Sequence, residues 1–252
     1  PVPIYLAANA PHPEEAKKLI DFLSASPQAR KVYLSHALTL SDGVKEAKSY
    51  DTGASKRFDK VYRDLCRQVV DDYKVTRGRA LDIGCGPGQM TLELARITQL
   101  QVVGLDIEPE VIEIAKRKAS QAGLAERASF VAADAHALPF PDNCFDLVIS
   151  RGTWPFLRDH VLAFREVYRV MKPGAVAFIG GGRGRYTTEE EWASLGERDP
   201  RKQWFRAADA QEEGTFFPFP LESYDVLMAK VGIAPRQYKV FLEGGQWVEI
   251  HK

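Results

Sequence analysis

The stretch Arg79-Ala80-Leu81-Asp82-Ile83-Gly84-Cys85-Gly86-Pro87-Gly88-Gln89-Met90 constrains this chain most. It reads as a short buried strand ending in a carboxylate, then a glycine-rich turn, then the opening of a helix. Gly84, Gly86 and Gly88 alternate, which lets the backbone turn sharply and lets a ligand lie against main-chain N–H groups with no Cβ in the way. A strand–glycine loop–helix unit is the ligand cradle of doubly wound α/β sheets. The dinucleotide fingerprint G-x-G-x-x-G would need glycine at position 89, where Gln89 stands. By themselves the glycines fit a tight turn as well as a cradle, so the surrounding chain has to decide.

From residue 78 to 180 apolar strands alternate with helical periods. Phe58, Val61, Tyr62, Leu65, Val69 and Val70 fall at helical spacing and predict a helix over 54–73. Strands are predicted at 80–83, 101–106, 129–132, 145–150 and 175–179, with helices at 89–97, from Pro109, and at 158–170. Lys172-Pro173-Gly174 reads as a turn. This alternation predicts an α/β domain with a parallel sheet and crossover helices. Residues 181–220 break the pattern, being rich in glycine, charge and aromatics, and predict an insertion covering the top of the sheet with one helix from Glu189. A helix over 221–231 stopped by Gly232 follows, then two strands at 237–242 and 246–251 joined at Glu243-Gly244-Gly245, a hairpin signal.

Three carboxylates close three successive strands. Asp82 ends the first, Asp106 ends the second, and Asp134 follows the third in Ala132-Ala133-Asp134-Ala135-His136-Ala137-Leu138. In a parallel sheet such ends line one edge, where ligands bind. A carboxylate after the second strand can accept two ribose hydroxyls. A polar residue after the third can meet an adenine amino group, with the next backbone N–H on the ring. Each acid also has a plain structural reading: Asp82 or Asp106 as a helix cap, Asp134 as a turn carboxylate.

With those residues in place, the chain resembles the class I S-adenosylmethionine (SAM)-dependent methyltransferases, in particular the small-molecule branch around ubiquinone and menaquinone biosynthesis. The likeness is carried by LDIGCGPG (81–88), VVGLDIEPEVIEIAKRKA (102–119), ADAHALPFPDNCFDLVIS (133–150), EVYRVMKPGAVAFI (166–179) and GQWVEIHK (245–252). It implies a doubly wound, Rossmann-like, seven-stranded sheet with its last strand antiparallel. It implies SAM as methyl donor, S-adenosylhomocysteine (SAH) as product, and a small-molecule acceptor. Carried over by position, Gly84, Cys85, Gly86 and Gly88 would approach the methionine moiety and ribose, with the Cys85 thiol suited to packing. Asp82 would orient the loop or the ligand's amino group. Asp106 would take the ribose hydroxyls, Ile107 would flank adenine, and Asp134 with Ala135 would read its edge. Ser150 and Arg151 would sit by the methionine end. Tyr50 falls where related enzymes close an aromatic lid. Arg151, Trp154 and Arg183 are the candidates for touching the acceptor. His136, His160 and Tyr186 are the candidates for a general base, which the reaction needs only if the nucleophile must first lose a proton.

Residues 1–45 form a separate, helical N-terminal segment, and 46–252 the methyltransferase domain. The first 40 residues, with PHPEEAKKLIDFLSASPQARKVYLSHALTL, resemble the C-terminal end of periplasmic substrate-binding proteins of the molybdate/tungstate type, which suggests the remnant of a fused domain. Two ordinary amphipathic helices packing on the main domain fit the same residues. Acids and bases balance at 34 each, so no global field favours nucleic acid or membrane. No apolar run approaches bilayer length. Cys66, Cys85 and Cys144 are odd in number and far apart, which suits neither a disulfide framework nor a metal site and points to a reducing, cytoplasmic compartment. An exported fusion would overturn that placement. Two competing functions remain at the level of sequence. One is a non-catalytic SAM- or nucleotide-binding module fused to a ligand-binding domain. The other is a nicotinamide oxidoreductase, against which Gln89 and Asp134 both argue. Oligomeric state leaves no mark in the sequence.

Overall fold

The computed structural model describes residues 55–196 and 221–252. In it, β4 (Phe145–Arg151) sits at the centre of a sheet and shows how its sequence is read by both faces. Leu147 and Ile149 enter one apolar cluster, while Val148 between them enters the other. That two-residue alternation follows from the pleat, and burial on both sides explains why the strand's middle, Leu147–Ile149, is apolar without interruption.

The other strands are β1 (Arg77–Ile83), β2 (Gln99–Asp106), β3 (Ala128–Ala132), β5 (Met171–Gly182), β6 (Tyr238–Phe241) and β7 (Gly245–His251). They form one seven-stranded sheet in the order β3-β2-β1-β4-β5-β7-β6. Pairing is parallel from β3 through β5, and β7 runs antiparallel to both β5 and β6. The predicted doubly wound sheet and closing hairpin are therefore present. The strand order reverses between β1 and β4, and a crevice opens at the carboxyl ends at such a switch point.

Helices cover both faces. On one lie α1 (Ser55–Tyr73), α2 (Gln89–Ile97) and α3 (Pro109–Gln121), over a cluster that includes Leu65, Leu94, Ile149, Phe178 and Trp247. The Phe178 and Trp247 rings stack there, 4.5 Å apart and nearly parallel. On the other face lie α4 (His160–Val170) and α6 (Leu221–Val231), over Leu81, Val148, Phe164, Met228 and Ile250. Helix α5 (Glu189–Gly196) completes the set, with Trp192 against Phe58 of α1 at 5.9 Å. Among the described residues no helix is long and apolar enough to cross a membrane.

One predicted turn is not a turn. Lys172-Pro173-Gly174 lies inside β5, and the β4–β5 register jumps from Phe145↔Met171 to Leu147↔Val176. The extra residues bulge outward at Gly174, whose φ of +82° a glycine adopts freely, and its N–H donates to the carbonyl of Lys252 at 2.8 Å. Pro and Gly mark a break in either case, and pairing with the C-terminus turns this one into a bulge. β1 starts three residues before the predicted Ala80, because Arg77 to Arg79 are exposed and polar and are held by pairing to Gln99–Gln101 rather than by burial. The described part of the predicted 181–220 insertion runs back along α1: Arg185 pairs with Asp72, Tyr186 bonds Asp71, Thr187 bonds Asp64, and Glu191 meets Lys60. Residues 197–220 and the predicted N-terminal segment lie outside the described residues.

Candidate functional site

The glycine loop leaves β1 and enters α2 with Gly84, Gly86 and Gly88 all at positive φ. The three are constrained differently. A Cβ at Gly84 would stand 1.9 Å from the Thr153 hydroxyl, and one at Gly88 would stand 2.9 Å from the Phe130 ring. A Cβ at Gly86 would meet nothing within 4 Å among the described residues. Gly84 and Gly88 are thus fixed by the protein's own packing, and Gly86 is the one whose bare side faces open space. The loop is tied down from below, since the N–H groups of Gly84 and Cys85 both donate to the carbonyl of Leu105, at 2.7 and 2.9 Å.

Asp82 stands under this loop, 2% exposed, and accepts a 2.6 Å hydrogen bond from the Thr91 hydroxyl of α2. Burial pushes its carboxyl up to about 7, helped by the negative charge of Asp106 and opposed by Thr91. Both sequence readings of Asp82 are therefore open, but its anchoring of loop to helix is what the contacts show. Asp106 joins the next strand to the same loop. Its Oδ2 accepts from the Gly86 N–H at 2.9 Å and its Oδ1 from the Glu108 N–H at 3.2 Å. Glu108 is also pushed upward, by burial first and then by Asp106 and Glu110. This edge concentrates negative charge, which suits a cationic ligand. Ile107 beside it is 61% exposed, an apolar side chain held out at the crevice.

Asp134 follows β3. Its Oδ1 accepts from the His136 N–H at 2.9 Å and faces His136 Nδ1 at 2.5 Å, while Oδ2 accepts from Arg158 at 2.7 Å. Burial pushes this carboxyl up, but His136 and then Arg158 outweigh it and hold it below the usual carboxylate range. The Asp159 N–H donates to His136 Nε2, which fixes the tautomer: the proton sits on Nδ1 and points at Asp134. His136 is thus a strut between the loop after β3 and the start of α4, with both nitrogens in use.

The remaining sequence candidates separate. Ser150 is buried and donates to the carbonyl of Ile83 at 2.8 Å, as Thr153 does at 3.1 Å, so both brace the loop. Cys85 is buried, and burial pushes its thiol well up, which suits packing. Ala135 is part-buried and lines a small apolar pocket with Ile83, Ser150, Trp154 and Leu157. Trp154 is 3% exposed, its ring 4.1 Å from that of Phe164, so it reaches the site only as the wall of that pocket. His160 has Nε2 on the Trp154 carbonyl at 3.0 Å. Tyr186 lies on the flank of α1 with its hydroxyl on Asp71, nine residues down the helix from Tyr62. Arg183 turns into its own loop, donating to the Thr187 carbonyl at 2.5 Å. Arg151 remains at the sheet edge, between Gly182 and Tyr62. Tyr50 lies outside the described residues. Sequence reasoning missed Thr91, Thr153, Arg158 and Tyr62; only Thr91 carried a local signal, a hydroxyl one turn into the helix that follows the strand-end acid.

The methyltransferase-domain family profile matches residues 81–179, from the end of β1 to the middle of β5. Among curated relatives, the demethylmenaquinone methyltransferase of Thermus thermophilus is 43% identical over 97 residues, 38% of this chain and 43% of that protein. The ajmaline N-methyltransferase of Rauvolfia serpentina is 38% identical over 116 residues, 46% of this chain and 40% of that protein. The matched stretch spans less than half the length of these relatives. Among solved structures, a Methanococcus maripaludis protein assigned as a SAM-dependent methyltransferase superposes with a TM-score of 0.72 at 30% identity, covering 82% of this chain and 92% of that one. A SAM-dependent methyltransferase of Aquifex aeolicus shares the fold at 18% identity, with a TM-score of 0.56 over 82% of this chain and 95% of that one. With its loop, its strand-end acids and its strand order, the chain belongs to the class I S-adenosylmethionine-dependent methyltransferases.

Proposed function

We propose that this chain transfers a methyl group from SAM to a small-molecule acceptor by in-line displacement, releasing SAH. The observation that carries the reading is the succession of Asp82, Asp106 and Asp134 at the carboxyl ends of β1, β2 and β3, on the edge that holds the switch point, with Gly86 bonded to Asp106. The residues present fit the cofactor. Gly86 leaves a cradle that a Cβ would fill, and the acids around it suit a ligand with an ammonium and a sulfonium.

When bound, SAM supplies a methyl on a sulfonium, whose departure needs no acid from the protein. Asp106 takes the ribose hydroxyls on the lone pairs its two amide bonds leave over. Ile107, exposed beside the loop, would cover a face of adenine, and the Ala135 N–H would read the ring edge. Asp134 contributes the second lone pair of Oδ2, the first being held by Arg158. Asp82 keeps the loop seated through Thr91 and offers charge to the amino group. The chain's work is therefore positioning and the exclusion of water. His136 and Tyr186 spend their polar atoms inside the scaffold, and His160 commits Nε2 there, so none of the three is assigned a proton-transfer role. The three buried, unpaired cysteines support a reducing compartment such as the cytoplasm.

Methyl-labelled SAM incubated with the chain and a small-molecule extract tests the reading. Label appearing in the small-molecule fraction is expected. Label that never leaves SAM across varied extracts would favour a binding module without catalysis.

A further inference from the structure

Arg151 is the last residue of β4, opposite Gly180 of β5. Its Nε donates to the Gly182 carbonyl at 2.9 Å and its Nη1 to the Tyr62 hydroxyl at 3.2 Å. The Phe58 and Tyr62 rings lie 5.5 and 4.8 Å from its Cζ. Among the described residues no carboxylate stands within ion-pair distance of it, and Nη2 makes no hydrogen bond. Arg169 and Arg185 differ: each is part-buried and each holds carboxylates, Glu166 with Asp142 in one case and Asp72 in the other. A half-buried guanidinium with no counter-charge is costly unless something else supplies one.

Its place says what that is. The proposed cofactor contacts occupy the ends of β1, β2 and β3. β4 is the other neighbour of β1, and carrying the register Asp82↔Ile149 forward by two residues sets Arg151 level with Gly84. A second reactant that must meet the methyl therefore comes in over the ends of β4 and β5, beside Arg151; Gly180 and Gly182 there are set by close strand pairing, since the backbone of Gln246 and Gly244 fills the space a Cβ would take. The aromatic rings cover the guanidinium, so its remaining N–H groups are offered in its plane, the geometry that pairs with an oxyanion.

We propose that the methyl acceptor carries an oxyanion, a carboxylate or a phosphate, that docks on Arg151. This rests on the methyl-transfer reading above. The test uses the full chain saturated with SAH and calorimetric titration with benzoate, phenyl phosphate and neutral benzamide, aromatic probes chosen for the rings at the site. The anions are expected to bind about tenfold or more tighter than benzamide, a difference that one charge-assisted pair supplies. Arg151→Gln, saturated with SAH at its own measured affinity, should abolish that preference. The tighter of benzoate and phenyl phosphate tells which oxyanion the site is built for. In the wild-type chain the Arg151 Nε–H resonance should shift with the anions and not with benzamide, a readout that survives if the variant does not fold. Equal binding of all three probes overturns the inference, and so does an anion preference that persists in Arg151→Gln. A variant that merely lowers the melting temperature, with the preference intact, makes Arg151 a strut. Failure of the wild type to bind SAH would remove the cofactor reading and this inference together, whereas SAH binding without anion preference removes the inference alone.

Discussion

Three glycines two residues apart look equivalent, and their neighbours make them unequal. Gly84→Ala drives a methyl into Thr153 at a left-handed φ of +69°, so the expected result is a lower melting temperature, partly recovered in Gly84→Ala/Thr153→Ala. Gly86→Ala meets no atom of the described residues and carries there only the backbone strain of a left-handed residue, about 1–2 kcal/mol. Its larger effect should fall on SAH affinity. Thermal melts and calorimetry on the same pair of variants check this: equal loss of stability with no difference in SAH binding would place the ligand elsewhere. Asp82 makes a second prediction. Its folded carboxyl titrates at about 7, above the unfolded value, so the native state holds its proton longer. Stability from this group is therefore complete below pH 4 and is lost as pH rises to about 7, on the order of a few kcal/mol. Asp82→Asn should flatten that part of the stability–pH profile measured by denaturant unfolding. A profile unchanged by the substitution would show that Asp82 titrates normally.

The elements were legible where burial wrote them. Strand ends Asp82, Asp106 and Asp134 could be read because apolar runs stop at each, and helical spacing placed α1, α2 and α3. What stayed hidden was set by partners far away in sequence. The polar start of β1 exists because β2 pairs with it, and the bulge at Gly174 exists because the C-terminus docks there. Tyr186 could be a candidate base by type alone; only the return of its segment along α1 takes its hydroxyl to Asp71. Asp134 was legible as a strand-end acid, but its pairing with Arg158 was not, since that contact crosses from the loop after β3 to the segment before α4. That segment yields an element-scale prediction. Asp159 caps α4, accepting from the Leu162 N–H at 2.9 Å, while its own N–H holds His136. Asp159→Ala should cost about 1 kcal/mol of stability through the lost cap. Asp159→Asn, which keeps a capping oxygen, should recover most of it. Equal losses in the two variants by chemical denaturation would show that the cap contributes nothing.

For the molecule as a whole, the sheet order puts a cradle at one switch point and divides its edge in two. The β1–β3 side carries acids and an exposed Ile107; the β4–β5 side carries a cation, Arg151, with no carboxylate partner among the described residues. Donor and acceptor halves of a transfer site fall naturally on these two sides. The fold alone would also hold a nicotinamide cofactor, and the choice rests on Gln89 in place of a fourth glycine and on Asp134 after β3. Calorimetric titration of the full chain with SAH and, separately, with NADH tests that choice most directly. The account predicts saturable binding of SAH, weakened more than about tenfold by Asp106→Ala as the ribose hydroxyls lose their acceptor, and no binding of NADH. Binding of NADH with none of SAH, or SAH affinity untouched by Asp106→Ala, would contradict it.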